Sequence, residues 1–285
     1  MRSHALLDIA SSSTPQGVKR SYIERMRSQG ALVLRPTKEV LPEWAARWEL
    51  TGSAPVKVRV VAGAAGPLGG DQLCLEVTVG AGAVLMLGAA AGTLVLPGVH
   101  GEQSRSDVSI TVADGGTLIW NPGVQIAARD CHHAALSTIH LATGARLYAR
   151  EEIALGRYGE TPGRFRQRMR VIRGGKPIYD QELSIGSEAP GWNSAAVTGG
   201  RHSLGTIVIV DPHGCPEWSG RAVPPDTAVM ELSEEATLIT SLADDAIELR
   251  RRLTVASEAV LGSVQGGYSG SSGKRPTVGV GSSSG

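Results

Sequence analysis

Val79-Gly80-Ala81-Gly82-Ala83-Val84-Leu85 reads as a strand, a tight turn and a second strand. The pattern is an apolar residue, two variable residues, Gly, a small residue, a variable residue and Leu. Gly supplies the positive φ that a tight reversal needs, and the flanking apolar residues alternate as strands do. The pattern returns as Val112-Ala113-Asp114-Gly115-Gly116-Thr117-Leu118 and as Leu141-Ala142-Thr143-Gly144-Ala145-Arg146-Leu147. A weaker fourth copy, Leu232-Ser233-Glu234-Glu235-Ala236-Thr237-Leu238, has Glu in place of Gly. Gly82, Gly115 and Gly144 stand 33 and then 29 residues apart. That spacing predicts stacked β units.

The rest of the chain agrees. Leu73, Leu75, Val77 and Val79 alternate with Cys74, Glu76 and Thr78, which buries one face. Val108, Ile110 and Val112 alternate likewise, and Gly205–Val210 reads as a more buried strand. One helix is expected near the C-terminus. Asp244 or Asp245 caps it, Ile247, Leu249, Leu253, Val260 and Leu261 form its stripe, and Gly262 ends it. A second helix is expected between Pro190 and Gly200. Residues 1–20 read as a flexible N-terminal segment, 21–262 as one β scaffold domain, and 263–285 as a disordered Gly/Ser-rich tail. Gly270-Ser271-Ser272-Gly273-Lys274 in the tail lacks the spacing and context of a phosphate loop.

Composition narrows the function classes. The 285 residues are 41% hydrophobic and 4% aromatic, with a single Phe, so the core is built from Val, Leu, Ile and Ala. A net charge of +1 gives no global attraction to nucleic acid or membrane. Three separated cysteines do not form a disulfide framework, and no apolar run reaches membrane-span length. With no secretory leader after Met1, a cytoplasmic location is expected. From Arg146 to Lys176 nine basic residues face three acidic ones. Within this run Arg164, Arg166, Arg168 and Arg170 fall on one strand face, which is either a solvated surface or a docking surface for an acidic partner.

No nucleophile elbow, zinc-protease helix, Cys-x-x-Cys pair or dinucleotide fingerprint occurs, so nothing supports an enzyme. Cys131, His132 and His133 are donor types that suit Ni²⁺ or Zn²⁺. In a regular strand, however, the two histidines point to opposite faces, and the run reads more readily as polar strand-end residues than as a metal site. Asp211-Pro212-His213-Gly214-Cys215 is a second such candidate. Glu151 shares the inward face of Leu147, Ala149 and Ile153. A buried carboxylate needs a partner or water. Either a nearby arginine such as Arg157 pairs with it, or it lines an internal aqueous passage.

Several segments resemble the urease accessory protein UreD (UreH) family, in its actinobacterial branch. They are Gly66-Pro67-Leu68-Gly69-Gly70-Asp71-Gln72-Leu73, Leu118-Ile119-Trp120-Asn121-Pro122, Glu151-Glu152-Ile153-Ala154-Leu155-Gly156-Arg157 with Gly159-Glu160, and Leu242-Ala243-Asp244-Asp245. The resemblance covers roughly residues 18–262. It departs at Gly88–Pro97, where many members carry a Thr/Gln/Lys/Tyr-rich segment, and at Gly123, where Gln is common. The resemblance implies a mainly β, elongated, β-helix-like stack of antiparallel and mixed strands with one or two helices. It also implies a non-enzymatic chaperone for nickel insertion that works in a complex with UreF, the GTPase UreG and apo-urease subunits. Ni²⁺ would be in transit and weakly held, with no tightly bound cofactor, and GTP would sit only on the partner GTPase. Asp71, Glu151, Arg157 and Glu160 would then be passage or structural polar groups. The alternatives from other classes are a β-helical carbohydrate-active enzyme and a standalone metal-binding module.

Overall fold

A computed structural model describes residues 1–13, 19–48, 55–215 and 222–262. Strand β1 (Arg2–Ser13) pairs antiparallel with β2 (Lys19–Gln29). After β3 (Leu32–Pro36) and a short 3₁₀ helix at Glu43–Trp48, the chain enters β4 (Val56–Ala62). Successive rungs follow. The first is β5 (Gln72–Val79), β6 (Val84–Ala89) and β7 (Thr93–Val95). The second is β8 (Ser104–Val112), β9 (Thr117–Asn121) and β10 (Val124–Ala127). The third is β11 (His132–Leu141) and β12 (Arg146–Ala154). Strand β13 (Arg164–Arg173) folds back into β14 (Lys176–Ile185). The last described elements are β15 (Ser203–Val210), β16 (Thr227–Ser233), β17 (Ala236–Ala243) and helix α1 (Ala246–Leu261).

The rungs build two walls of a β-solenoid-like stack. In the first, β1, β5, β8, β11 and β13 run parallel, bounded by antiparallel β2 and β14. In the second, β4, β6, β9 and β12 run parallel, and β15, β17 and β16 continue it antiparallel. Leu75, Val77, Ile110 and Ile139 of the first wall pack on Leu85, Leu118, Leu147 and Val208 of the second. The outer face of the second wall is also covered. Ile119, Tyr148, Ile207 and Ile239 pack under Leu249, Leu253 and Ala256 of α1, with Trp44 and Trp48 beside them. Burial on both faces is why β15 is a nearly unbroken apolar run.

The glycine turns are corners, not hairpins. The strands flanking each turn belong to different walls, and the turns stack on one another. Gly82 N–H donates to Asp114 O and Gly115 N–H to Gly144 O. Gly82 and Gly115 have φ of 65° and 66°, as the turn demands. Gly144 is not in the left-handed region. A Cβ there would lie 2.4 Å from Asp114 Oδ1, which its N–H bonds, so it is glycine for space. The fourth copy departs from the other three. Leu232–Leu238 joins the antiparallel pair β16 and β17, a true hairpin at the end of the second wall.

Three further expectations are corrected. Residues 2–13 are not loose. Ala5, Leu7 and Ile9 are buried, and β1 is the parallel neighbour of β5, so the scaffold starts before residue 21. Residues 190–200 form successive turns instead of a helix, with Gly191, Gly199 and Gly200 at positive φ. In α1, Asp245 is the cap and Gly262 the stop as expected, but Ile247 is exposed and Arg252 is buried. Arg252 is held by Glu248, Asp226 and the Leu242 carbonyl, so its charge is matched. The expected Gly/Ser tail at 263–285, with its Lys274 segment, lies outside the described residues. No helix among the described residues is long and apolar enough to cross a membrane.

Candidate functional site: a buried carboxylate between two cavities

Alternation along β12 turns Glu151 inward, between the walls, together with Leu147, Ala149 and Ile153. Ser137 of β11 donates its hydroxyl to Glu151 Oε1 at 2.7 Å, and Gln167 of β13 donates its amide to Oε2. Trp120 Nε1 makes no closed hydrogen bond, yet its indole N–H is close enough to favour the charged carboxylate. Among the described residues no arginine reaches Glu151. Arg157, the expected partner, instead forks onto Glu160 in an exposed loop and holds that carboxylate down at about 2. Burial dominates at Glu151 and pushes its pKa up to about 7, partly opposed by the Ser137 and Gln167 hydrogen bonds.

Glu151 lines two cavities. One, of about 560 Å³, is bounded by Gln167, Tyr179, Gln181, Thr206 and Thr240 among others. The second, of about 360 Å³, has Ser137, Trp120, Ala135 and Leu75 in its wall and also takes in Asp71. One carboxylate oxygen is therefore held by a residue of each cavity. Tyr179 is half-buried, and desolvation together with the nearby Glu151 charge raises its hydroxyl pKa, so it stays a neutral donor. Asp71 and Glu151 thus share a cavity, whereas Arg157 and Glu160 lie apart from it. Ser137, Gln167, Tyr179 and Thr206 were not legible as site residues. Each is an ordinary polar residue on an alternating strand, and only the pairing of β12 with β15 and the packing of the walls bring them together.

The Cys131-His132-His133 run does not converge. His133 is buried, with Nδ1 2.8 Å from Ser104 Oγ and its ring stacked on Phe165. His132 points outward to Gln103 and the Gly101 carbonyl. The Cys131 thiol is buried, and desolvation raises its pKa to about 11, so it is held as the poorly ligating thiol. Asp211 of the second candidate is a structural anchor, accepting from Trp48 Nε1 and from His213 N–H. Among the described residues the one trio of His, Cys, Asp or Glu ligand atoms that does converge is His4, Cys74 and Glu76.

Burial, and the neighbouring His132, hold the His133 pKa at about 4. The unfolded chain takes up that proton near 6.5 and the folded chain only near 4. Stability is therefore lost as pH falls through that window. Between pH 7 and 5 the loss is about 2 kcal/mol, from a pKa difference of about 2.5 units. His133→Phe is expected to flatten this acid limb in urea melts. An unchanged pH slope would remove His133 from the acid response.

The β13 arginines do not form an open basic patch. Arg168 forks onto Asp180 of β14, Arg170 lies 3.3 Å from the same carboxylate, Arg166 is 4.0 Å from Glu182 and Arg164 pairs with Glu188. Asp180 and Glu182 alternate along β14 as the arginines do along β13, a signal that the sequence held and that the register now explains.

Over residues 4–268 the sequence matches the family described as UreD urease accessory protein. The chain belongs to that family. A urease accessory protein UreD of Streptomyces avermitilis is 40% identical, with 80% of this chain and 86% of that relative covered. One from Frankia alni is 36% identical over 90% and 93% of the two chains. One from Streptomyces coelicolor is 38% identical over 83% and 94%. For this UreD-family chain the resemblance carried by Gly66–Leu73, Leu118–Pro122 and Glu151–Glu160 is borne out, and the role is urease maturation. The structure gives those segments their places. Pro67 and Asp71 border the second cavity, Trp120 faces Glu151, and Glu151 stands between the two cavities.

Proposed function

We propose that this chain is the scaffold through which nickel reaches apo-urease, acting with UreF and the GTPase UreG and performing no turnover of its own. The observation that supports it is the position of the Glu151 carboxylate, shared between two cavities that together run between the walls. The ligands there are oxygen atoms from Glu151, with Ser137, Gln167, Tyr179 and Thr206 around them. A conduit must hold its ion loosely enough to release it, and hard oxygen donors without thiolate or imidazole hold Ni²⁺ weakly. GTP belongs to the partner in this reading. Co-expression with UreF, UreG and apo-urease is expected to yield a co-purifying assembly and nickel-loaded urease. Full nickel loading in the absence of the chain would overturn the proposal.

The β13–β14 face is the proposed docking surface for these partners. Its charges alternate in sign, so it suits a partner that interleaves its own. Arg166→Glu with Arg168→Glu brings negative charge against Asp180 and Glu182 and should lower the yield of active urease several-fold. Exposed pairs contribute only about 0–1 kcal/mol each, so the fold should survive. An unchanged yield with unchanged co-purification would assign that face to solvent.

A further inference from the structure

We propose that His4, Cys74 and Glu76 form a labile binding site for a borderline divalent cation, Ni²⁺, Co²⁺ or Zn²⁺, on the outer surface of the first wall. The argument starts from strand register. Strands β1 and β5 are parallel neighbours, and His4 lies directly opposite Cys74. Glu76 is two residues on from Cys74, so all three side chains leave the same face. That face is outward, because Leu73 and Leu75 point to the inner cavity instead. The site is therefore separated from the Glu151 cavities by the thickness of the sheet, and it stands whether or not ions cross between the walls.

The ligand atoms are already gathered. His4 Nε2 is 3.0 Å from Glu76 Oε1, Cys74 Sγ is 3.9 Å from the same oxygen, and all three lie within 4.8 Å of one another. Ligands at about 2.0–2.3 Å around a tetrahedral ion stand roughly 3.3–3.8 Å apart. Side-chain rotation alone closes the site. An imidazole, a thiolate and a carboxylate select borderline ions over Mg²⁺ and Ca²⁺, which prefer all-oxygen cages.

A second carboxylate, Asp107, lies opposite Cys74 on β8. It is occupied by a fork from Arg105, at 2.6 and 2.7 Å, so it adds negative field without being a free ligand. His4, Cys74, Arg105 and Asp107 line a shallow cleft beside the trio. Three protein ligands and an open position make an exchangeable site, not a closed structural one. Partial burial and the Glu76 and Asp107 charges raise the Cys74 thiol pKa. A bound ion reverses that balance. The S–H bond breaks, the sulfur–metal bond forms, and the proton leaves to solvent, so affinity should rise with pH.

The test uses the untagged full-length chain titrated with Co²⁺, whose thiolate complex has an ultraviolet charge-transfer band. The wild type should take up one equivalent with that band. Cys74→Ser should lose the band, and His4→Ala and Glu76→Gln should each weaken binding by roughly tenfold or more, since even outer-sphere losses act on that scale. Ni²⁺ and Zn²⁺ should compete, and Mg²⁺ should not. The band reports sulfur ligation only, and no cysteine lines the Glu151 cavities, which keeps this site distinct from the inner passage. A band that persists in Cys74→Ser would assign the thiolate to Cys131 or Cys215 and overturn the proposal, as would the absence of a band in the wild type.

Discussion

Glu151→Gln is expected to cut urease activation by about tenfold or more while the chain still folds and still joins its partners. Gln keeps the shape of the side chain and can still bond Ser137 and Gln167, but it removes the charge between the two cavities. Losing about 1.4 kcal/mol of ion stabilisation there is enough for that factor. The measurement is nickel content and activity of urease matured in cells with each variant. The same substitution has an opposite effect on stability. Burial raises the Glu151 pKa from an ordinary 4.5 to about 7. The unfolded carboxyl releases its proton near the lower value and the folded one near the higher. The stability tied to the proton is complete below about 4.5 and is lost as pH rises through about 7, to the extent of ~3 kcal/mol. Glu151→Gln has no such proton to lose. From pH 5 to pH 8 it should gain stability relative to wild type by about that amount. Lower activation together with better alkaline stability separates a transport role from a structural one. Unchanged activation would remove Glu151 from the path of the ion.

The β character was legible because it is written locally. Gly82 and Gly115 need left-handed backbone, and the residues around them alternate with period two. Whether such a turn makes a hairpin or a solenoid corner is not local. Val79–Leu85 and Leu232–Leu238 share one pattern, yet the first joins two walls and the second joins neighbouring strands, because pairing with distant segments decides. Strand β1 was hidden by its composition. Leu6 breaks the alternation of Ala5, Leu7 and Ile9, and a Ser run follows. The inward direction of Glu151 followed from Leu147, Ala149 and Ile153. Its partners did not, since Ser137 and Gln167 sit on the opposite wall and carry no distinguishing spacing. The neighbouring arginine was the wrong partner for the same reason. Arg157 is close in sequence, but it leaves the strand and pairs with Glu160 in the loop. His4, Cys74 and Glu76 were invisible as a group because one ligand lies 70 residues before the next.

Arg150→Ala is expected to destabilise the fold by about 3–5 kcal/mol, the cost of leaving a buried charge without its partner. The reason lies in the alternation that points Glu151 into the cavities. On the other face of β12, Arg150 and Glu152 point toward α1, and both are buried. Arg150 Nε donates to Glu152 Oε1 at 2.7 Å. Its remaining nitrogens donate to Thr254 Oγ1 and to the Arg250 carbonyl, so one guanidinium ties the helix to the wall. Once Arg150 is removed, the exposed Arg250, 3.7 Å away, is the one cation left to Glu152 among the described residues. Urea denaturation should show the midpoint falling, with α1 the element whose amides lose protection first. Arg150→Met with Glu152→Leu removes both charges and should recover most of the loss, because a buried pair replaced by apolar groups is often neutral. If the double variant were as unstable as Arg150→Ala, the tie to α1 rather than the stranded Glu152 charge would carry the effect. The two adjacent glutamates therefore have separate tests. Glu151 should govern activation with the helix in place, and the Arg150–Glu152 pair should govern the helix with the cavities intact.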